Sequence, residues 1–102
     1  MKIVLLISRP LGEKCLKLCL QNKDKWGIEI VGAVILPATS KRWWKDDIEA
    51  ILNCANIPIL KYADLINTDL DLGVSVLFWK IIQEPLLSHP KLGFINLHPA
   101  PV

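Results

Sequence analysis

Three nearly unbroken runs of aliphatic residues constrain the fold of this chain more than any other feature. They are Lys2–Ser8 (KIVLLIS), Ile28–Leu36 (IEIVGAVIL) and Leu72–Phe78 (LGVSVLF). A strand with one solvated face alternates apolar and polar residues, whereas a strand of a parallel sheet is covered on both faces and is apolar along its length. The runs therefore predict a parallel sheet with further layers packed on both of its faces.

The rest of the chain, between and after these runs, predicts two helices and two shorter strands. Apolar residues recur at helical spacing in Leu11–Lys25, which Gly27 ends, and again in Trp43–Ala55. Short apolar segments bounded by proline and glycine predict strands at Ile57–Leu60 and Gly93–His98.

A short helix at Pro85–Ser88 completes the predicted order of elements. Alternating strands and helices are typical of an α/β fold, and we expect a Rossmann-like, doubly wound, mostly parallel sheet in one domain, residues 1–102. Ser8–Gly12, after the first strand, is expected to be a turn because Pro10 and Gly12 break regular structure. This loop is not GxGxxG, so it does not predict a dinucleotide site.

Charge and hydropathy exclude several classes of function. The net charge is +2, and 52% of the 102 residues are hydrophobic against 22% charged. Acids and bases are interspersed, which leaves no basic surface for nucleic acid, and the first apolar run is too short to cross a bilayer. We therefore expect a cytoplasmic protein without a nucleic-acid or membrane partner. The apolar excess suits a domain with one face covered by further chain or by a second subunit of a homo-oligomer.

The three cysteines, Cys15, Cys19 and Cys54, are odd in number and show no CxxC spacing. Cys15 and Cys19 stand one helical turn apart, but no histidine or acid at a matching offset completes a metal site. We expect buried free thiols and no metal.

Asn96 and His98 are the pair of side chains best suited to chemistry. Residues two apart in a strand share a face, and Pro99 ends the strand just beyond them. The pair is thus expected at the carboxyl end of a strand, where open α/β sheets bind ligands. An amide that donates and an imidazole that relays protons suit a reaction that forms an oxyanion. The residues alone favour a satisfied polar pair at a strand end and leave a functional pair open.

The segment Asn96-Leu97-His98-Pro99-Ala100-Pro101 resembles the N-x-H-P-A-P signature of the folate-dependent formyltransferases. The similarity extends back to Asp71, through DLGVSVLFWKIIQEPLLSHPKLGFINLHPAP, with a strand, a cofactor loop, a short helix and an active-site strand in the family's order. It is closest to the sugar N-formyltransferases. Residues 2–70 are consistent with the family but less diagnostic.

The resemblance implies transfer of a formyl group from 10-formyltetrahydrofolate to a small-molecule amine, with a nucleotide-linked amino sugar as a candidate acceptor. Asn96 would hydrogen-bond the formyl oxygen, and His98 would make a second contact and help to relay the proton of the amine. The loop Phe78-Trp79-Lys80-Ile81-Ile82 matches the family segment whose backbone receives the pterin ring. Without the family, the apolar members of this loop are equally well explained by packing, and Lys80 by a surface charge.

Two departures from the family limit what the resemblance implies. The third catalytic group of the family is an aspartate downstream of the histidine, and no acid in residues 1–102 matches it. Val102 also stands where the family has leucine. We therefore expect an amino-terminal portion of a formyltransferase domain, incomplete at its carboxyl end and inactive by itself. A non-catalytic α/β fragment or assembly module and a formyltetrahydrofolate deformylase remain alternatives.

Overall fold

The computed structural model describes residues 1–35, 47–78 and 81–97, and these form a four-stranded sheet with helices on both faces. The elements in chain order are β1 (Lys2–Ile7), α1 (Arg9–Trp26), β2 (Glu29–Val34), α2 (Ile48–Cys54), a first 3-10 helix (Tyr62–Asn67), β3 (Leu72–Val76), a second 3-10 helix (Leu86–Ser88) and β4 (Phe94–Leu97). The strand order is β2-β1-β3-β4, and every neighbouring pair is parallel. The predicted Rossmann-like α/β fold is confirmed.

The chain winds away from β1 in both directions. It passes through α1 to β2, and after α2 Ile59 pairs with Ala33 of β2. It then returns to the other side of β1 as β3 and continues outward to β4. Because crossovers between parallel strands are right-handed, the reversal of direction moves the connecting segments to the opposite face of the sheet. This is the doubly wound arrangement.

Each face of the sheet therefore has its own core. We call them the α face, under α1 and α2, and the 3-10 face, under the two 3-10 helices. The buried residues of the α face are Ile3, Leu5, Ile7, Leu16, Cys19, Ala33, Ile48, Leu52, Ile57 and Val76. Those of the 3-10 face are Val4, Leu6, Val34, Leu65, Leu70, Phe78 and Leu86. The alternation along β1 explains why its sequence is apolar throughout.

Helix α1 begins at Arg9, earlier than the predicted start at Leu11. Pro10 lies in the first turn, where the N–H that proline lacks has no partner within the helix in any case. The proline therefore starts the helix and does not form the predicted turn. Gly27 ends the helix as predicted, with a left-handed backbone at φ 64°. In the described ranges, no helix is long and apolar enough to cross a membrane.

Helix α2 begins at Ile48, later than the predicted start at Trp43. Asp47 stands at the N-cap position with a non-helical backbone and makes no side-chain capping hydrogen bond, and its N–H donates to the carboxylate of Glu13 in α1. This contact between α1 and the start of α2 is not visible in a local pattern. Residues 36–46, which include the predicted start, lie outside the described residues.

The predicted strand Ile57–Leu60 is a single bridge to β2. The N–H of Ala33 donates to the carbonyl of Pro58 at 3.0 Å, and the N–H of Leu60 donates to the carbonyl of Ala33 at 2.7 Å. Pro58 has no N–H with which to extend the ladder. The described part of the chain consequently contains four strands, where the sequence predicts five.

Strand β3 ends at Val76, before the predicted end at Phe78. Leu77 has a φ of 51°, an uncommon conformation for a residue with a side chain, and this turns the chain out of the sheet. The carbonyl of Leu77 accepts a 2.6 Å hydrogen bond from the hydroxyl of Ser8, which is buried. This bond joins the carboxyl ends of β1 and β3.

Gly73 lets the ring of Phe94 approach the backbone of β3 closely. The two residues are paired across β3 and β4, and a Cβ at position 73 would lie 2.1 Å from Cε1 of the ring. The ring therefore covers the glycine on the 3-10 face, where it packs against the buried cluster. Asn96, two residues further along β4, lies on the same face.

Candidate functional site

The carboxyl ends of all four strands lie at one edge of the sheet because the strands are parallel. β1 and β3 are neighbours whose onward connections run in opposite directions. The position between their carboxyl ends is the topological switch point, where open α/β sheets bind ligands. β4, the next strand, brings Asn96 to this edge.

Asn96 occupies an exposed position near the end of β4. It lies in register with Ser75 of β3, which is in turn in register with Leu6 of β1, so the three share the 3-10 face. The side chain of Asn96 makes no hydrogen bond within the described part of the chain. β4 is an edge strand, and on its α face Ile95 and Leu97 are 50% and 47% exposed. The carboxamide is thus accessible to a ligand.

The predicted cofactor loop begins on the same face. Phe78 is buried in the cluster of the 3-10 face and stacks on Tyr62, with ring centroids 6.0 Å apart and an angle of 13° between the planes. Ile82 packs against this cluster, whereas Ile81 is 80% exposed. Packing accounts for Phe78 and Ile82, but it does not account for Ile81.

Three predicted site residues, Trp79, Lys80 and His98, lie outside the described residues. Among the predicted site residues that are described, Asn96 lies on the 3-10 face of the sheet, and Phe78 and Ile82 belong to the cluster of the same face. The pairing of Asn96 with His98 stays a prediction.

A hollow of about 320 Å³ opens on the 3-10 face beside the loop. Its lining residues are Tyr62, Ala63, Ile66, Ile81, Gln83, Glu84, Pro85 and Leu86. The volume is close to the lower end of the range for ligand sites, roughly 300–1,000 Å³, which suits a fused aromatic bicycle better than a complete folate. Ile81 lines the hollow and Leu86 is shared with the buried cluster, so the exposed isoleucine faces a concave surface of mixed apolar and polar residues.

Ser75 is a polar residue of this edge that the sequence reasoning missed. It is 3% exposed, and its hydroxyl makes no hydrogen bond to any residue that the structure describes. Burial of an unpaired hydroxyl costs about 1–3 kcal/mol, so such groups are rare in cores. The available signal was a serine inside the apolar run LGVSVLF, three positions before Phe78, the first residue of the predicted cofactor loop.

The cysteines differ from one another more than expected. Cys19 is buried and Cys15 is half-buried, but Cys54 is exposed, which corrects the prediction that all three are buried. A hydrogen bond from Cys19 lowers the pKa of the Cys15 thiol to about 7, and the same bond together with burial raises the pKa of Cys19. The described residues contain no group of three side chains that could hold a metal ion.

Charged groups with a structural role lie at the amino ends of the strands, opposite the candidate site. The carboxylate of Asp71 accepts the backbone N–H of Lys2 at 2.7 Å and lies 3.6 Å from the ammonium of Lys91. The hydrogen bond from the backbone of Lys2 is the main reason why the pKa of Asp71 is lowered. These groups stand at the amino ends of β1 and β3, away from the carboxyl edge.

No family model and no curated protein matches the chain.

Proposed function

We propose that this chain carries the formyl-donor site of a folate-dependent formyltransferase, which passes a formyl group from 10-formyltetrahydrofolate to an amine. One observation carries the proposal. The exposed carboxamide of Asn96 lies near the carboxyl end of β4, on the same sheet face as the loop that begins at Phe78. The N-x-H-P-A-P resemblance requires an accessible amide in this position.

The residues present fit the donor molecule in two respects. The hollow beside Ile81 has a volume that accommodates a pterin ring, and its lining combines apolar residues with the polar side chains of Gln83 and Glu84, as a polar heterocycle requires. The amide of Asn96, which pairs with no residue in the described ranges, offers a donor for a carbonyl oxygen. Bound in this way, 10-formyltetrahydrofolate supplies a formyl group that is activated toward nucleophiles.

Asn96 would act by donating a side-chain N–H to the formyl oxygen. That oxygen gains negative charge as an amine attacks the formyl carbon, so the hydrogen bond strengthens in the transition state. His98, two residues further along, would help to move the proton of the attacking amine to N10, as the bond between N10 and the formyl carbon breaks and tetrahydrofolate leaves. We propose a nucleotide-linked amino sugar as the acceptor, because the similarity is closest to the sugar N-formyltransferases. We also propose a cytoplasmic location, which the three free thiols support.

Binding of a matched pair of stable ligands tests the donor site. The pair consists of 10-formyl-5,8-dideazafolate and 5,8-dideazafolate, which differ only in the formyl group, and binding is followed by two-dimensional ¹H–¹⁵N NMR so that weak affinities are measurable. A single hydrogen bond to a neutral carbonyl contributes about 0.5–1.5 kcal/mol, so we expect the formylated ligand to bind roughly twofold to tenfold more tightly. Shifts should concentrate on the Asn96 side chain and on residues 78–82.

The control for the contact is an identical substitution elsewhere. Asn96→Ala should abolish the preference for the formylated ligand, whereas Asn53→Ala, at an exposed position of α2 on the other side of the sheet, should leave it intact. Equal affinity of the wild type for the two ligands, or shifts confined to other surfaces, would overturn the proposal.

A further inference from the structure

The buried serine of β3 deepens the proposed function. Ser75 and Asn96 are register partners in adjacent parallel strands, and both lie on the 3-10 face. Side chains at paired positions of neighbouring strands are close enough to interact. The serine is 3% exposed while the asparagine is exposed, so the hydroxyl stands on the inner side and the carboxamide on the solvent side.

Neither side chain makes a hydrogen bond within the described residues. For an exposed amide this is ordinary, because water pairs with it. For a buried hydroxyl it is unfavourable, and such groups are commonly kept for a functional reason. The neighbour of Ser75 in β1 does not provide a hydrogen-bond partner for the hydroxyl either, because that register partner is the aliphatic Leu6.

We infer that Ser75 is a positioning residue for Asn96, whose hydroxyl donates to the carboxamide oxygen of Asn96 when the formylated donor is bound. An asparagine amide can present either its oxygen or its nitrogen to a ligand. A donor on the inner side selects the rotamer in which the oxygen points inward and the N–H groups point outward. That orientation is the one required to donate to a formyl oxygen. The inference rests on the proposed function of Asn96.

A double-mutant cycle on the complete chain tests the coupling. The variants are Ser75→Ala, Asn96→Ala and the two combined, each titrated with 10-formyl-5,8-dideazafolate and with 5,8-dideazafolate. We expect Ser75→Ala to bring the preference for the formylated ligand closer to 1, by up to about threefold, and to leave the affinity for the unformylated ligand unchanged. In the Asn96→Ala background, Ser75→Ala should have no further effect.

Thermal unfolding distinguishes a role of Ser75 in positioning Asn96 from a role in the stability of the fold. Removal of a buried hydroxyl that pairs with no described residue should leave the melting temperature of Ser75→Ala unchanged or higher than that of the wild type. Ser75→Cys, which keeps the size and a weak donor, should retain part of the preference. A loss of preference together with a matching loss of stability would contradict the inference.

The outcomes for Ser75 and for the proposed function are distinguishable. If the wild type shows no preference between the two ligands, the proposed function is wrong and the inference falls with it. If the wild type and Asn96→Ala behave as expected but the effects of Ser75→Ala and Asn96→Ala are additive, only the inference is wrong.

Discussion

Gly73→Ala should perturb β4, the strand that carries Asn96, because the new Cβ would collide with the ring of Phe94 in that strand. A Cβ at position 73 would lie 2.1, 2.3 and 2.7 Å from three ring carbons of Phe94. Carbon atoms in contact are normally about 3.5–4.0 Å apart, so the ring must move by more than about 1 Å. It is a rigid, half-buried group between β4 and the cluster of the 3-10 face, and the move lifts it from that cluster.

The magnitude follows from two opposing effects. Overpacking of this kind costs about 1–3 kcal/mol, while alanine restricts the unfolded chain and recovers about 0.5–1 kcal/mol relative to glycine. The backbone of Gly73 does not have a positive φ, so alanine adds no backbone strain. We expect Gly73→Ala to lower the free energy of unfolding by about 1–2 kcal/mol, measured by urea denaturation with far-ultraviolet circular dichroism.

The control is to repeat Gly73→Ala in a Phe94→Ala variant, which lacks the ring atoms that the new Cβ would meet. In Phe94→Ala, the same Gly73→Ala change should become neutral or stabilising by up to about 1 kcal/mol. If Gly73→Ala destabilises the protein equally with and without the ring, the contact between Gly73 and Phe94 is not what limits this position.

Three further predictions concern the α face, the thiols and the charged edge. Leu16→Ala, fully buried in α1, should cost about 3 kcal/mol in urea denaturation, whereas Leu18→Ala, at a site that is 54% exposed in the same helix, should cost less than about 1 kcal/mol. Alkylation of Cys15 by iodoacetamide should accelerate around its pKa of about 7, and Cys19→Ala should move that midpoint up toward the ordinary value of 9.0. The lowered pKa of Asp71 means that its stabilising contribution is complete above the unfolded value of 3.8 and is lost as the pH falls through the folded value, so Asp71→Asn should lose less thermal stability than the wild type on acidification from about pH 5 to about pH 2.5.

Each of these predictions has a result that contradicts it. Equal losses for the two leucine variants would mean that α1 does not pack as described. An alkylation midpoint unaffected by Cys19→Ala would remove the thiol–thiol hydrogen bond from the explanation. Identical acid sensitivity of Asp71→Asn and the wild type would assign acid unfolding to other carboxylates.

The sequence by itself determined the layers of this protein. The apolar runs at β1, β2 and β3 predicted strands covered on both faces, and the runs lie within one or two residues of the strands observed, apart from the part of the second run that is not described. Gly27 marked the end of α1 because its left-handed conformation is a local property of the backbone. The candidate site at Asn96 and His98 could likewise be predicted from a short segment, because the N-x-H spacing and the proline that follows are features of a few adjacent residues.

Only the tertiary structure decided how the strands align and what their register brings together. The proximity of Ser75 to Asn96, the fit of Phe94 over Gly73 and the reduction of Ile57–Leu60 to one bridge all depend on pairing between segments far apart in the chain. A local pattern records which residues are apolar and with what period, whereas register is selected by contacts between distant segments. For that reason the sequence shows an amide at the candidate site and a serine inside an apolar run, but not that the two residues are register partners.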